Sequence, residues 1–312
     1  MKTALTYDDI YLVPNYSTLD SRSYASTTVE FGGRKFDLPL IPANMETVID
    51  YELYSKLSQR GIFCVMHRFG DDPFFMFETQ NKDVFPYKSI SVGVNEKDIE
   101  ILKRLFELYQ IPDYITIDIA HGHHAKVKEA IHQIKEFFPE PFLIVGNVTT
   151  PEAVESLQSW GADAIKVGVG PGKACTTRLQ TGFHVPMFTA VQDCAAMAKV
   201  PIIADGGIHY YGDIAKALVA GATMVMCGSL FASCSDSPAP TVNGRKIYYG
   251  SASFEAKKEN RHVEGTLLEL ETTLTTEEKL TEIKEALQSS ISYAGGHDLS
   301  CFSRVSYVIK NN

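Results

Sequence analysis

The sequence predicts one α/β domain over residues 1–312, folded as a (β/α)8 (TIM) barrel with a helical C-terminal tail. The chain has 312 residues, a length at which such barrels fold as one domain. Eight short, nearly continuous apolar runs end at or near Gly, Asn, Asp or His, and helical patterns separate them. Continuous apolar runs are typical of parallel strands buried on both faces. This alternation favours a barrel over an open sheet.

The eight predicted strands are, in order, residues 38–43, 62–67, 89–94, 114–119, 142–147, 164–168, 201–205 and 224–227. The clearest helix between them is residues 96–110, where one stripe carries the side chains of Ile99, Leu102, Leu105, Phe106 and Tyr109. In a barrel, active sites are built from the loops that follow the strands. We therefore expect the functional residues at the ends of these strands.

Residue types at the helix ends support the same division. Thr150 and Pro151 are typical of a helix N-terminus, and Gly161 is typical of its C-terminus. An amphipathic pattern over residues 275–290 predicts a last helix, which the segment YAGG at 293–296 ends. No linker or second-domain boundary is apparent.

Composition narrows the classes of function. The formal net charge is −9, and an acidic chain without clustered Lys and Arg matches a nucleic-acid surface poorly. The N-terminus lacks the apolar segment of a signal peptide, and no apolar run approaches the ~20 residues that span a bilayer. Six scattered cysteines without a Cys-x-x-Cys pair argue against disulfides or structural zinc. We expect a cytoplasmic protein that binds neither nucleic acid nor membrane.

The loop after the sixth predicted strand carries the clearest candidate nucleophile. Residues 168–178 read GVGPGKACTTR, so that Cys175 is flanked by glycines, two threonines and an arginine. A thiol at the end of a barrel strand lies where such enzymes hold catalytic groups. The alternative is an incidental thiol on a surface loop, which position and composition together disfavour.

Glycines also follow the seventh and eighth predicted strands. Gly206 and Gly207 come directly after Asp205, and Gly228 and Ser229 follow the eighth strand. These two loops commonly bind phosphate through backbone N–H groups, and Asp205 could accept hydrogen bonds from a ribose diol. The alternative is that these glycines only make tight turns.

Other polar residues are more ambiguous. Asp118, near the end of the fourth strand, could orient a cofactor or a leaving group, and His121, His123 and His124 follow it. A catalytic zinc site needs about three well-placed ligands, and solvated histidines are the favoured interpretation here. Glu264, before Gly265, could act as a general acid or base over the barrel mouth, although this signal alone is weak.

Taken together, these segments resemble the IMP dehydrogenase/GMP reductase family over essentially the whole chain. The matching segments are LTYDDIYLVP at 5–14, ANMET at 43–47, GADAIKVGVGPG at 161–172, CTTR at 175–178, ADGGI at 204–208, GDIAK at 212–216, GSL at 228–230 and VEG at 263–265. A chance match at so many ordered positions is implausible.

Within this family, the sequence resembles the bacterial reductases. It has no room for the paired CBS-type regulatory modules that dehydrogenases of the family usually insert. Residues 254–263, FEAKKENRHV, are too short for the dehydrogenase flap and lack its water-activating Arg-Tyr pair. The segments GSAS at 250–253 and QSSISYAGG at 288–296 are also closest to the bacterial reductases.

The resemblance implies NADPH-dependent reductive deamination of GMP to IMP and ammonia, in purine nucleotide interconversion. Cys175 would add to C2 of the guanine and form a covalent thioimidate, while Thr177 and Glu264 would protonate the departing amine. The family is usually tetrameric, so the resemblance also implies a homo-oligomer.

The resemblance further implies binding residues for three ligands. Those for the nucleotide are Lys173, Asp205, Gly206, Gly207, Gly228, Ser229, Gly250, Ser251, Arg261 and Gly265. Those for NADPH are Arg68, Asp118, Ala120, Arg178, Ala252 and Ser290, and Arg261 is a second candidate for its phosphate or amide. Backbone carbonyls of Gly170, Gly172 and Cys175 resemble the family's monovalent-cation (K⁺) site.

Some positions depart from the commoner family pattern. Lys173 stands where many relatives have Ser, Glu46 where Asp is frequent, and the segment HYY at 209–211 replaces one with Arg. Three other functions also remain open. They are an IMP dehydrogenase with a minimal flap, a catalytically idle barrel that binds purine nucleotides, and, more remotely, a metal-dependent hydrolase.

Overall fold

A seven-stranded parallel sheet forms the centre of the protein. The computed structural model describes residues 3–69, 74–78, 83–257 and 263–310. Within them the strands are β1 (Ile10–Leu12), β2 (Val29–Phe31), β3 (Arg34–Phe36), β4 (Leu40–Pro42), β5 (Ser89–Val92), β6 (Tyr114–Asp118), β7 (Phe142–Val148), β8 (Ala164–Val167), β9 (Ile202–Asp205), β10 (Met224–Cys227), β11 (Thr241–Val242), β12 (Arg245–Tyr249), β13 (Leu267–Glu271) and β14 (Tyr307–Ile309). The central sheet has the order β4-β10-β9-β8-β7-β6-β5.

Helices alternate with the strands of this sheet. The described α-helices are α1 (Tyr51–Gln59), α2 (Phe75–Glu78), α3 (Glu96–Glu107), α4 (Ala125–Phe137), α5 (Pro151–Trp160), α6 (Thr177–Thr181), α7 (Met187–Met197), α8 (Tyr211–Val219), α9 (Ser229–Ala232), α10 (Phe254–Lys257) and α11 (Thr276–Tyr293). Short 3₁₀ helices lie at Tyr7–Asp9, Arg22–Tyr24 and Leu299–Arg304. The strands of the central sheet are buried on both faces, as their apolar sequences predict. The fold is therefore α/β with a curled parallel sheet.

Seven of the eight predicted barrel strands are present, and the second is not a regular strand. Residues 62–67 form only a single parallel bridge, between Met66 and Ile90. The hydroxyl of Tyr87 accepts from the N–H of Cys64 at 2.7 Å and donates to the carbonyl of Ile62 at 2.7 Å. A side chain thus satisfies backbone groups that a neighbouring strand would otherwise bind, and the regular ladder is interrupted here.

Helix termini follow the predicted end signals closely. Thr150 accepts from the N–H of Ala153, and Gly161 ends α5 in the left-handed conformation. Thr275 and Glu278 form a capping box at the start of α11. The predicted helix 96–110 is shorter, however, because α3 ends at Glu107; Tyr109 lies outside it, at φ 55°, and is exposed.

Three smaller sheets complete the described part of the chain. β2 and β3 form a hairpin near the beginning of the chain, and the hydroxyl of Tyr114 lies 3.2 Å from the carbonyl oxygens of both Phe31 and Gly32 in it. β1 pairs with β14 and joins the two ends of the chain. β11, β12 and β13 form an antiparallel sheet. None of the described helices is both long and apolar enough to cross a membrane.

Candidate active site

A cavity of about 380 Å³ lies at the carboxyl ends of the parallel strands. Of the predicted site residues that the structure describes, all line it except Arg178, Gly265 and Ser290. Parallel strands bring their carboxyl ends to one edge of a sheet, and ligands bind there in barrels. This shared direction collects residues from six strand ends and from the segment after β12 into one site.

Cys175 differs from the other five cysteines in its surroundings. It is partly exposed on the loop between β8 and α6 and lines the cavity, whereas the other five are buried. Burial raises the pKa of each of those thiols, for example that of Cys194 to about 12. A buried thiol with a raised pKa is a poor nucleophile. Cys175 is therefore the cysteine that can react with a bound molecule.

The thiol of Cys175 is linked to a carboxylate through one hydroxyl. Its Sγ lies 3.2 Å from Oγ1 of Thr177, and that hydroxyl donates to Oε2 of Glu264 at 2.6 Å. A threonine hydroxyl has one proton, and here it is given to Glu264, so Thr177 is an acceptor toward the sulfur. The three side chains form a path along which a proton can pass between the sulfur and the carboxylate.

Backbone hydrogen bonds hold the loop of Cys175 against the segment that carries Glu264. The N–H of Thr176 donates to the carbonyl of Glu264 at 2.8 Å, and that of Thr266 to the carbonyl of Ala174 at 2.9 Å. Cys175 and Gly265 thereby form an antiparallel bridge. We call these two paired segments, residues 174–176 and residues 264–266, the 174–266 ribbon. Gly265 is placed in the ribbon behind the thiol and does not line the cavity.

A buried lysine connects two predicted binding residues. Nζ of Lys166 lies 2.7 Å from Oδ1 of Asp118 and 2.9 Å from Oδ2 of Asp205. Asn44 donates to the other oxygen of Asp118, and Asn147 donates to Oδ2 of Asp205. Among the described residues, no hydrogen bond reaches Oδ1 of Asp205, which leaves that oxygen for a ligand.

These contacts decide the charges of the cluster. Burial opposes ionisation of Asp118, but the charge and hydrogen bond of Lys166 and the amide of Asn44 lower the pKa of its carboxyl. Burial likewise opposes the charge of Lys166, but Asp118 and Asp205 raise the pKa of its ammonium above the ordinary value. The cluster therefore contains an ionised Asp118 and a cationic Lys166 at neutral pH.

Several residues that line the same cavity carry polar groups without a hydrogen-bond partner among the described residues. Oδ1 of Asn147 is buried and has no hydrogen-bond partner in the described part of the chain. Gly207, Gly228 and Ser229 line the cavity, and within the same residues their N–H groups make no hydrogen bond. Buried polar groups are normally satisfied, and adjacent free N–H groups suit an anion. The site has unfilled capacity for a polar, anionic ligand.

Gly168 shows how closely the strand ends approach one another. It adopts φ +146°, and a Cβ at this position would collide with the backbone carbonyl of Asp205. Only glycine accommodates both that conformation and that contact. The close approach allows Asn147 to donate to the carbonyl of Gly168 and to Asp205 simultaneously, each at 2.8 Å.

Some predicted residues do not reach the cavity. The guanidinium of Arg178 donates to the carbonyl of Gly170 at 2.8 Å, back onto its own loop. Ser290 lies on α11, bonds to the carbonyl of Ala286, and lines a separate groove. Arg261 lies outside the described residues. Lys173 is exposed and lines the cavity.

The histidines after β6 have other contacts. His124 caps α4 by accepting from the N–H of Lys126, and His123 lies 3.1 Å from the hydroxyl of Ser156. In the residues that the structure describes, no group of three or more His, Cys, Asp or Glu is arranged to hold a metal ion.

Sequence reasoning assigned no site role to several cavity residues with polar or large side chains. Among them are Asn44, Met45, Asn147, Lys166 and Tyr248. One signal could have identified the most central of them, because Lys166 interrupts an otherwise apolar strand, and lysine is almost never fully buried without a partner. The hydroxyl of Tyr248, directed toward Gly228, has no comparable signal in the sequence.

Comparison with known proteins supports one family over the whole chain. The model of the IMP dehydrogenase/GMP reductase domain matches residues 4–310. A protein named GMP reductase from Staphylococcus carnosus is 46% identical, covering 98% of this chain and 96% of its own. GMP reductases from Bacillus licheniformis and Bacillus subtilis are 47% and 46% identical, each covering 100% of this chain and 98% of its own.

Proposed function

Since the chain belongs to the IMP dehydrogenase/GMP reductase family, we propose that it catalyses the reductive deamination of GMP to IMP and ammonia, with NADPH as reductant. The observation that carries this proposal is the hydrogen-bonded series Cys175–Thr177–Glu264 inside the cavity that also contains Asp205 and Asp118. One cavity thus holds a nucleophile, a proton path and polar groups suited to a nucleotide.

GMP binds, in this proposal, with its ribose against Asp205 and its phosphate against the loops after β9 and β10. The open Oδ1 of Asp205 accepts from the ribose hydroxyls. The N–H groups of Gly207, Gly228 and Ser229 donate to the phosphate. Gly206 lies beside the phosphate in the same loop as Gly207. Gly250, Ser251 and the exposed ammonium of Lys173 complete this side of the cavity, while Arg261 and Gly265 stay predictions for the same ligand.

The first half of the reaction exchanges the amino group for sulfur. Cys175 loses its proton through Thr177 to Glu264, and the thiolate adds to C2 of the guanine. The same path then returns a proton to the 2-amino group, which leaves as ammonia and gives a covalent thioimidate. Covalent catalysis replaces one difficult displacement with two easier steps, and one acid–base group serves both.

The second half restores the thiolate. NADPH supplies a hydride to C2 of the thioimidate, after which the C–S bond breaks and IMP is released. Arg68, Asp118, Ala120 and Ala252 line the same cavity and are the proposed contacts for the nicotinamide end of the reductant. Arg178 and Ser290 are directed elsewhere in this chain, so their predicted contacts with NADPH have no support from the cavity.

A monovalent cation such as K⁺ is proposed for the carbonyls of the thiol loop. The carbonyl of Gly170 accepts from Arg178, and that of Gly172 accepts from the N–H of Cys175 at 3.0 Å. Each carbonyl oxygen has two lone pairs, so both keep one for a cation, as does the carbonyl of Cys175. The ion would stabilise the loop that carries the thiol.

The remaining proposals concern the whole molecule. We infer that residues 62–67 close the sheet into an eight-stranded barrel through the bridge at Met66, and that residues 1–312 are one domain. Following the family resemblance, we also propose a cytoplasmic homotetramer.

One assay distinguishes the proposed reaction from its alternatives. The protein is incubated with GMP and NADPH, and loss of absorbance at the reduced nicotinamide band is followed together with ammonia release. GMP-dependent oxidation of NADPH with one ammonia per turnover is expected. Reduction of NAD by IMP would instead identify a dehydrogenase, and GMP binding without turnover would identify an idle nucleotide-binding barrel.

A further inference from the structure

Among the residues that the structure describes, Lys166 is the one side chain that hydrogen-bonds to both of the carboxylates assigned above to different ligands. Its side chain, 2% exposed, extends from β8 and ends between Asp118 on β6 and Asp205 on β9. We propose that Lys166 is a positioning residue, the shared counter-ion that keeps Asp205 set for the ribose and Asp118 set for the reductant. The inference deepens the proposed function and rests on it.

The charges of the cluster require such a residue. Both carboxylates contact the same nitrogen, so without the ammonium two like charges would face each other at the base of the cavity. Their side chains are only 18% and 20% exposed, so water screens them incompletely. Without a cation, one of the two carboxylates would stay protonated or the two side chains would move apart. With the ammonium of Lys166 between them, both can stay ionised in their present positions.

The residues around Lys166 leave room for its side chain and hold both carboxylates beside it. On its third side, the ammonium lies 3.9 Å from Sδ of Met226. The adjacent residue of β7 is Gly146, where a Cβ would lie 2.5 Å from Cβ of Lys166, so β7 leaves room for the lysine stem. Asn44 donates to the oxygen of Asp118 that Lys166 does not contact, and Asn147 donates to the same oxygen of Asp205 as Lys166 does. The orientation of both carboxylates is thus fixed by Lys166 and one amide each.

Charge balance gives the test a specific form. Lys166→Met leaves two facing carboxylates, whereas Lys166→Met combined with Asp118→Asn leaves one carboxylate and restores the net charge of the cluster. GMP affinity of both variants is measured by calorimetry without NADPH, alongside Asp118→Asn. Lys135→Met is the matched control, because Lys135 pairs with a single carboxylate, Asp163, away from this cavity.

The expected results show whether Lys166 acts through its charge, as a positioning residue, or only through the volume of its side chain. Lys166→Met should weaken GMP binding by about tenfold or more, because two carboxylates then face each other with no cation between them. The double variant should fold and bind GMP within about threefold of Asp118→Asn. Its KM for GMP should therefore recover while its kcat stays low, since Asp118 is absent. Lys135→Met should bind GMP as the wild type does.

Three outcomes would overturn the assignment. They are wild-type GMP affinity in Lys166→Met, a double variant that binds no better than Lys166→Met, and a double variant that fails to fold. If Lys166→Met itself does not fold, the comparison of the double variant with Asp118→Asn still decides. Absence of GMP binding by the wild type would count against the proposed function instead.

Discussion

The hydroxyl of Thr177 lies 2.6 Å from a carboxylate oxygen of Glu264, 87 residues further along the chain. The same hydroxyl lies 3.2 Å from the sulfur of Cys175. Because both contacts meet at one oxygen, the proposed proton transfer depends on the side chain of Thr177. Substitutions of Cys175 and of Glu264 should have distinguishable effects on the reaction.

Replacing the nucleophile should abolish turnover and leave binding intact. We expect Cys175→Ala to lower kcat by about 10⁴-fold or more, the scale of losing a catalytic nucleophile, with GMP affinity nearly unchanged. Mass spectrometry of wild-type enzyme quenched with GMP should detect a nucleotide adduct on the peptide that contains Cys175. Cys194→Ala, a change at a buried thiol on α7, is the control and should retain both adduct and turnover.

Interrupting the proton path should slow the reaction while the thiol remains. Glu264→Gln keeps the shape of the side chain but cannot accept a proton, so kcat should fall by about 10²- to 10⁴-fold. Thr177→Val should have a similar effect, because it removes the connecting hydroxyl. Thr177→Ser, which keeps the hydroxyl, should retain most of the activity. Equal losses in the Val and Ser variants would mean that packing, and not proton transfer, explains the role of Thr177.

The ion pair of Asp118 should appear in the acid stability of the protein. Its pKa is lowered in the folded chain, so its ionised form stabilises the fold above the ordinary carboxyl pKa, and this contribution is lost as pH falls through the folded value. Between about pH 5 and pH 2, the free energy of unfolding should decrease more steeply for the wild type than for Asp118→Asn. Urea unfolding at a series of pH values measures both slopes. Parallel curves would contradict the expectation.

A methyl group at Gly168 should disrupt the strand ends around the site. Gly168→Ala introduces a Cβ against the carbonyl of Asp205 in a left-handed backbone conformation, and we expect a loss of about 3 kcal/mol or more in unfolding free energy. Gly212→Ala is the control, because a Cβ there has open space around it and the backbone is not left-handed. Similar stabilities for the two variants would show that the strand ends tolerate the contact.

The sequence predicted strand positions well and side-chain partners poorly. Apolar runs located β4 through β10 because burial on both faces leaves a local pattern, and the loops after them contained most of the cavity residues. The interruption at residues 62–67 depends on the hydroxyl of Tyr87, which no local pattern reveals. The contacts of Lys166, and the turn of Arg178 away from the cavity, likewise depend on distances between segments. Local composition therefore located most of the residues that line the cavity, but not how their charges are paired.

The 174–266 ribbon couples the positions of two segments that are far apart in the sequence. Backbone hydrogen bonds hold the segment that carries Glu264 against the segment that carries Cys175. A displacement of the Glu264 segment would therefore displace the loop of Cys175 as well. A chimera that received its late residues from a relative would consequently present the thiol in altered surroundings, even with every amino acid of the thiol loop retained.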